Sequence, residues 1–456
     1  MPGACLPSYA RCVNTNRCQV TATSLDEAGC GVGTSDGRIV HVADLQPGER
    51  AEVALDHASP HRAEAWGRIV RRLSPPSGDR TAPACPAFGR CGGCVWQHLK
   101  YPAQLVAKRA RVSEALGGSV AVAAVRPSPQ ELGYRNKGKY VVGAAGEHII
   151  MGAYAPRSHH VIDTLGCQVV APIIDEVATW VRGAAERAQL VPYVEATRTG
   201  ELRYVVIREA AEDVMIALVV APGTPRSKLE SVANALAKHP AVRGLVAITN
   251  DRRDGAIVPS GSSAQVLFGH GHLVEELAGV RLAVGASEFV QVNRGQAAAM
   301  YTRVAELAIE ACGGSLRGKR AVDLYAGLGG FGLSLARAGA EVIAVEIDRD
   351  AIAQLRRAAE RASLPLTTIA ADATHDLRAQ LGAPDVVVVN PPRKGLSETA
   401  RRLVADLAPQ VLIYVSCGPE SLARDIAALG WRVDVVEPFD LMPGTAQVET
   451  IVRLSK

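Results

Sequence analysis

The stretch "VDLYAGLGGFGLSLARAGAEVIAVEID", residues 322–348, constrains the fold more than any other part of the chain. It reads as an apolar strand, a glycine-rich turn, a helix and a second apolar strand, the opening of a parallel, doubly wound sheet. From about residue 286 the same alternation runs on through "DVVVVN", "QVLIYVS", "WRVDVVEPF" and "VETIVRL". Residues 286–456 are therefore expected to form a doubly wound, Rossmann-like α/β domain whose chemistry lies at the carboxyl ends of the strands.

A chain of 456 residues needs more than one core, so further domains are expected upstream. Residues 18–74 hold short alternating stretches between turn signals, among them Asp36-Gly37, and suit a small five-stranded barrel of the OB type. The Pro- and Ser-rich "SPPSGDRTAPACP", residues 74–86, reads as a linker, and a long helix is expected from about Gln97 to Leu116. Mixed strand and helix patterns between 134 and 285 point to an α+β middle domain. The expected domains are thus 1–76, a barrel with a variable N-terminus, 77–285, and 286–456.

Apolar residues at 48% and charged residues at 21% exclude a disordered chain. No run of 18 apolar residues is present, and the opening "MPGACLPSYARCVNTNRC" lacks the apolar stretch of a secretory leader, so a cytoplasmic protein without a membrane anchor is expected. The net charge of +4 is too small to announce a nucleic-acid binder, but residues 100–140 carry eight basic side chains against Glu114 and Glu131. A phosphate-facing surface or a solvated helix face accounts for such a window.

Ten cysteines in a cytoplasmic chain direct attention to metals and nucleophiles. Cys85, Cys91 and Cys94 are spaced C-x5-C-x2-C around Gly92-Gly93, and Cys167 in "DTLGC" is the fourth thiolate for a tetrahedral site. Zinc and a 4Fe-4S cluster both accept four thiolates; the single C-x2-C pair with its five-residue spacer favours iron–sulfur. Cys5, Cys12, Cys18 and Cys30 receive no role, and Cys312 reads as a small buried hydrophobe.

Gly327, Gly329 and Gly332 fit G-x-G-x-x-G, a turn shared by many nucleotide-binding folds. Glu346 ends the second strand, where a carboxylate can accept from ribose hydroxyls of NAD or of S-adenosylmethionine. The rigid Asn390-Pro391-Pro392 after "DVVVV" favours S-adenosylmethionine and methyl transfer, and Asp372 is placed to meet the adenine. Arg393 stands where nitrogen methyltransferases carry an aromatic residue, so another acceptor atom is expected. Cys417 ends "VLIYVSC" and is either a buried structural thiol or a nucleophile. As a nucleophile it would add to carbon 6 of a pyrimidine and make carbon 5 reactive, with Glu449 as the base that removes the carbon 5 proton.

With these motifs the chain resembles the bacterial RNA 5-methyluridine methyltransferases, in particular those acting on large-subunit ribosomal RNA that carry a 4Fe-4S cluster. "GVGTSDGRIVHVADLQPGE" is similar to their TRAM-type barrel, while "CPAFGRCGGC" and "GAYAPRSHHVIDTLGC" are similar to the cluster and central-domain signatures. "SEFVQVN", "VSCGPESLARDI" and "VETIVRL" are similar to the cofactor, nucleophile and base motifs. The resemblance implies that Cys85, Cys91, Cys94 and Cys167 hold the cluster and that Gln291, Tyr325, Glu346 and Asn390 line the cofactor site, with Gly327 and Gly330 in its turn. It further implies Cys417 as nucleophile and Glu449 as base. The expected activity is S-adenosylmethionine-dependent methylation of uridine carbon 5 in structured RNA, ribosomal RNA ahead of transfer RNA, by a monomer. A non-catalytic RNA-binding assembly factor is the alternative. Asn390 stands where many members have Asp, Gly418 where Asn is usual, Gly330 where some relatives have Asn, and Gly444 and Gln447 where histidines are common.

Overall fold

The computed structural model describes residues 17–156, 158–253, 256–258, 262–285 and 288–456. Cys5, Cys12 and Ser287, the first residue of "SEFVQVN", lie outside the described residues. The chain divides into two compact units, Met1–Ala82 with His98–Lys100, and Pro83–Gln97 with Tyr101–Lys456.

The first unit is a curled sheet of β1 (Arg17–Thr21), β2 (Ser24–Leu25), β3 (Gly31–Ser35), β4 (Arg38–Val42), β5 (Arg50–Ala58) and β6 (Glu64–Arg72), in the order β1-β5-β6-β4-β3-β2. The sequence predicts five strands; the sixth, β2, spans two residues and is too short to leave a periodic signal. Alternation buries Val20, Val40, Val42, Ala51 and Val53 inside the curl. Asp36 and Gly37 join β3 to β4 with φ of 49° and 74°, the left-handed two-residue turn that Asp-Gly favours.

The second unit opens with the cysteine loop and α1 (Tyr101–Ala115), shorter at both ends than the sequence suggests. A seven-stranded sheet follows, built from β7 (Lys137–Ala145), β8 (His148–Tyr154), β9 (Val161–Asp163), β10 (Leu202–Ala210), β11 (Asp213–Val220), β12 (Val242–Thr249) and β13 (Ala264–Gly269), in the order β13-β12-β11-β10-β7-β8-β9. The helices α2 (Pro172–Arg187) and α3 (Arg226–Leu236) cover one face with Ile174, Val177, Val181 and Val232. After the hairpin β14 (Leu273–Leu277) and β15 (Val280–Val284) comes α4 (Arg294–Ala311), whose Asn293 cap accepts from the Gln296 N–H at 3.2 Å.

The second sheet holds β16 (Arg320–Leu324), β17 (Glu341–Glu346), β18 (Leu366–Ala370), β19 (Val386–Val389), β20 (Val411–Ser416), β21 (Arg432–Phe439) and β22 (Glu449–Ser455), in the order β18-β17-β16-β19-β20-β22-β21. The strands from β18 to β20 are parallel, crossed over by α5 (Gly330–Arg337), α6 (Arg349–Arg361), α7 (Arg378–Leu381) and α8 (Glu398–Leu407), while α9 (Pro419–Leu429) leads to β21. The four valines of β19 are all fully buried, as a strand covered on both faces requires. Strand order reverses between β16 and β19, and the crevice at such a switch is where open α/β sheets bind ligands.

The basic window does not form one surface. Lys108 is fully buried and donates to Asp440 Oδ1 at 2.6 Å, a partner contributed by the far end of the sheet. Arg135, Lys137 and Lys139 turn into the cavity that the cysteines line.

Candidate functional site

Beyond the carboxyl ends of β16, β17, β19 and β20 lies a cavity of about 520 Å³. Tyr325, directly after β16, takes a φ of 63°, unusual for a residue with a side chain, and this bend turns the chain into the glycine loop. Glu346 at the end of β17 braces that loop: Oε2 accepts the Gly327 N–H at 2.8 Å and Oε1 the Asp348 N–H at 2.9 Å. Glu346 lines the cavity together with Tyr325, Gly327, Asn390 and Gln291.

Two of the expected cofactor residues fall outside this lining. Gly330 begins α5 under the ring of Tyr301, where a Cβ would lie 2.3 Å from Tyr301 Cζ, so the position serves close packing. Asp372 accepts the Thr374 N–H at 2.9 Å in the loop after β18.

The other end of the same cavity is built by β20 and β22. Their antiparallel ladder ends on the pair Ser416 and Thr450, so Cys417 and Glu449 stand opposite one another one residue further on. Both line the cavity, with Arg393 from the loop after β19 and Gln447 from the loop before β22. Desolvation pushes the Glu449 carboxyl up to about 7, against the opposing charge of Arg393. Burial and the neighbouring Glu449 also raise the Cys417 thiol, while Arg393 pulls it down. The net direction for Cys417 is upward, because burial and the neighbouring carboxylate outweigh the Arg393 cation.

Gly444 lies in a close approach to the cysteine loop. Its φ is 76°, and a Cβ would sit 3.1 Å from Gln97 Cγ and 3.6 Å from Cys94 Cβ. Its carbonyl accepts the Trp96 N–H at 2.8 Å, and its own N–H donates to Gln104 Oε1 at 2.8 Å. The cysteine loop and α1 thus hold the segment that leads to Gln447 and Glu449.

Cys85, Cys91, Cys94 and Cys167 line a second cavity of about 300 Å³, next to Arg135, Lys137 and Lys139. Burial raises the Cys91 thiol and takes Cys94 to about 12, with the other cysteines adding to both shifts. Among the described residues no group of three or more His, Cys, Asp or Glu side chains is arranged to hold a metal ion. Also among the described residues, no helix is long and apolar enough to cross a membrane.

A family model described as conserved hypothetical protein 95 matches residues 293–430. An uncharacterized RNA methyltransferase of Geobacter sulfurreducens is 34% identical over 458 residues, covering 96% of this chain and 90% of that protein. One from Thermosynechococcus vestitus is 33% identical over 444 residues, covering 95% and 96%. The chain belongs to the RNA methyltransferases. This methyltransferase shares its fold with the tRNA (uracil-54, C5)-methyltransferase of Pyrococcus abyssi, solved in complex with S-adenosyl-L-homocysteine, at a TM-score of 0.75, 24% identity, and coverage of 96% and 99%.

Sequence reasoning missed one residue that lines the methyltransferase's cavity and one that braces its glycine turn from within the strand. Asp323, fully buried inside β16, accepts the Gly332 N–H at 2.8 Å and is pushed up to about 7 by desolvation; an acid within an apolar strand was the available signal. Phe289, 70% exposed, borders both cavities, and a lone aromatic in a loop carries no periodic signal.

Proposed function

We propose that this methyltransferase uses S-adenosylmethionine to methylate carbon 5 of a uridine in structured RNA, with large-subunit ribosomal RNA as the substrate. The observation that carries the proposal is the convergence of Cys417, Glu449 and Arg393 on the cavity that Gln291, Tyr325, Glu346 and Asn390 also line. These last four, with Gly327, would hold the cofactor, which supplies an electrophilic methyl sulfonium when bound.

Cys417, as thiolate, adds to carbon 6 of the uracil and places the displaced electron pair on carbon 5, which takes the methyl group. Glu449 then removes the carbon 5 proton; the C–H pair re-forms the double bond and expels Cys417 as thiolate. A base with a pKa of about 7 is matched to neutral operation. Arg393 offsets the negative charge that the thiolate and carboxylate bring to one enclosed space.

The four cysteines would hold a 4Fe-4S cluster. In such a cluster each thiolate binds a different iron, so the thiols stand further apart than around one ion. Four cysteines lining one cavity match the four thiolates that such a cluster takes. The N-terminal TRAM-like barrel would help position the RNA while the target base turns out into the cavity.

The test is nucleoside mass spectrometry on RNA from a deletion strain, before and after incubation with the purified protein and S-adenosylmethionine. Appearance of 5-methyluridine in ribosomal RNA, lost with Cys417→Ala, is the expected result. Methylation confined to transfer RNA would move the substrate, and RNA binding with no methylated product would leave an assembly factor in place of an enzyme.

A further inference from the structure

Asp425 lies inside α9, eight residues after the cysteine at the end of β20, and is fully buried. Its Oδ2 accepts the Leu396 N–H at 2.7 Å and the Tyr414 hydroxyl at 2.8 Å. Its Oδ1 accepts from Arg401 Nη1 at 2.9 Å and, more distantly, from Arg424 Nη2 at 3.4 Å. The same Arg401 group donates to the Leu396 carbonyl at 2.7 Å, and Arg424 donates to the Lys394 carbonyl. A carboxylate has about four acceptor positions, and here all are taken.

The donors come from places that matter to the site. Leu396 and Lys394 belong to the loop that follows Asn390 and carries Arg393. Tyr414, fully buried, lies on β20 three residues before Cys417. Within this loop, the carbonyl of Arg393 would stand 3.4 Å from a Cβ at Gly418, immediately beside Cys417. One buried carboxylate therefore ties the Arg393 loop to the strand that ends at the thiol.

We propose that Asp425 is the positioning residue that sets the Arg393 guanidinium against Cys417. It touches neither cofactor nor substrate; it acts through the backbone of residues 394–396 and through Tyr414. This rests on the reading of Cys417 as the nucleophile, and it gives a physical role to the Arg-Asp pair of "SLARDI", to which the reaction itself assigns none. Asn at position 425 would keep the shape but present an amide donor to groups that are themselves donors, so the loop would have to move.

The experiment measures alkylation of Cys417 in the full chain by iodoacetamide across pH, followed by peptide mass spectrometry at that residue. The thiolate is the reacting form, so the rate reports how strongly Arg393 favours it. Arg393→Gln is expected to slow alkylation at pH 7 by roughly three- to tenfold, the range for a shift of up to about one pH unit. Asp425→Asn is expected to slow it comparably, and the double variant no further, because the second residue acts through the first. Tyr414→Phe removes one hydrogen bond without changing the apolar packing and should give a smaller shift in the same direction, which keeps the test available should Asp425→Asn fold poorly.

A pH profile unchanged in Asp425→Asn or Tyr414→Phe, or effects that add fully to Arg393→Gln, would overturn the proposal. Alkylation does not require catalysis, so failure of the functional reading is seen separately, as full methylation by Cys417→Ala.

Discussion

Arg393 donates from Nη2 to Oε1 of Gln447 at 3.0 Å. Gln447 stands at a position where histidine is common in the 5-methyluridine enzymes that the sequence resembles, and a carboxamide, unlike an imidazole, does not titrate near neutral pH. It holds the cation that faces both Cys417 and Glu449. Gln447→Leu removes that acceptor, a loss of about 0.5–1.5 kcal/mol. The expected outcome is a roughly two- to tenfold lower single-turnover methylation rate with RNA affinity unchanged. A variant as fast as the parent would show that the pair is incidental.

Under the proposed mechanism Glu449, pushed up to about 7 by desolvation, makes both rate and stability depend on pH. The base acts as carboxylate, so the methylation rate should rise with pH through about 7. For stability the sign is opposite. The folded state keeps a proton that the unfolded chain releases near 4.5, so this group's contribution falls as pH rises from about 4.5 to about 7. Glu449→Gln should therefore raise the melting temperature at pH 8 and leave it unchanged at pH 4. Contact with cavity water limits the gain to about 1–2 kcal/mol. The same variant should accumulate a covalent protein–RNA adduct visible on denaturing gels, since methyl transfer no longer leads to release.

Gly330→Ala tests packing against ligand contact. The added methyl meets Tyr301, itself buried and set edge-on to Phe331 at 5.1 Å. Overpacking of this kind costs about 1–3 kcal/mol. Chemical denaturation should show that loss, while calorimetry with S-adenosylhomocysteine at a temperature where the variant is folded should show binding close to the parent's. Intact stability with lost binding would return Gly330 to the cofactor site.

The four cysteines give a prediction independent of methylation. Protein purified without oxygen should be brown and contain iron and sulfide, and Cys91→Ser should lose both. Zinc without iron on elemental analysis would replace the cluster with a single ion.

Much of the second sheet was legible because buried parallel strands leave unbroken apolar runs: the four valines of β19 and the "VLIYV" of β20 announce themselves. Strand-end positions follow from those runs, and with them Tyr325, Glu346, Asn390 and Cys417. The basic window was misleading for the opposite reason. Charge counted along the chain cannot show that Lys108 meets Asp440, 332 residues away, or that three other cations turn inward. Asp425 was equally hidden: its helix pattern is ordinary, and its importance lies in donors from α8, β20 and the loop between β19 and α8.

The contact between Gly444 and Cys94 has a consequence for anyone building hybrids of this enzyme. With a Cβ at 444 only 3.6 Å from that of Cys94, and Trp96 bonded to the Gly444 carbonyl, the two segments fit as a matched pair. A cysteine loop transplanted from a relative that carries a larger residue at the equivalent of 444 would arrive shaped for a different neighbour. Chimeras should exchange residues 83–97 and 440–448 as one cassette, and libraries that randomise either segment alone should yield few folded members.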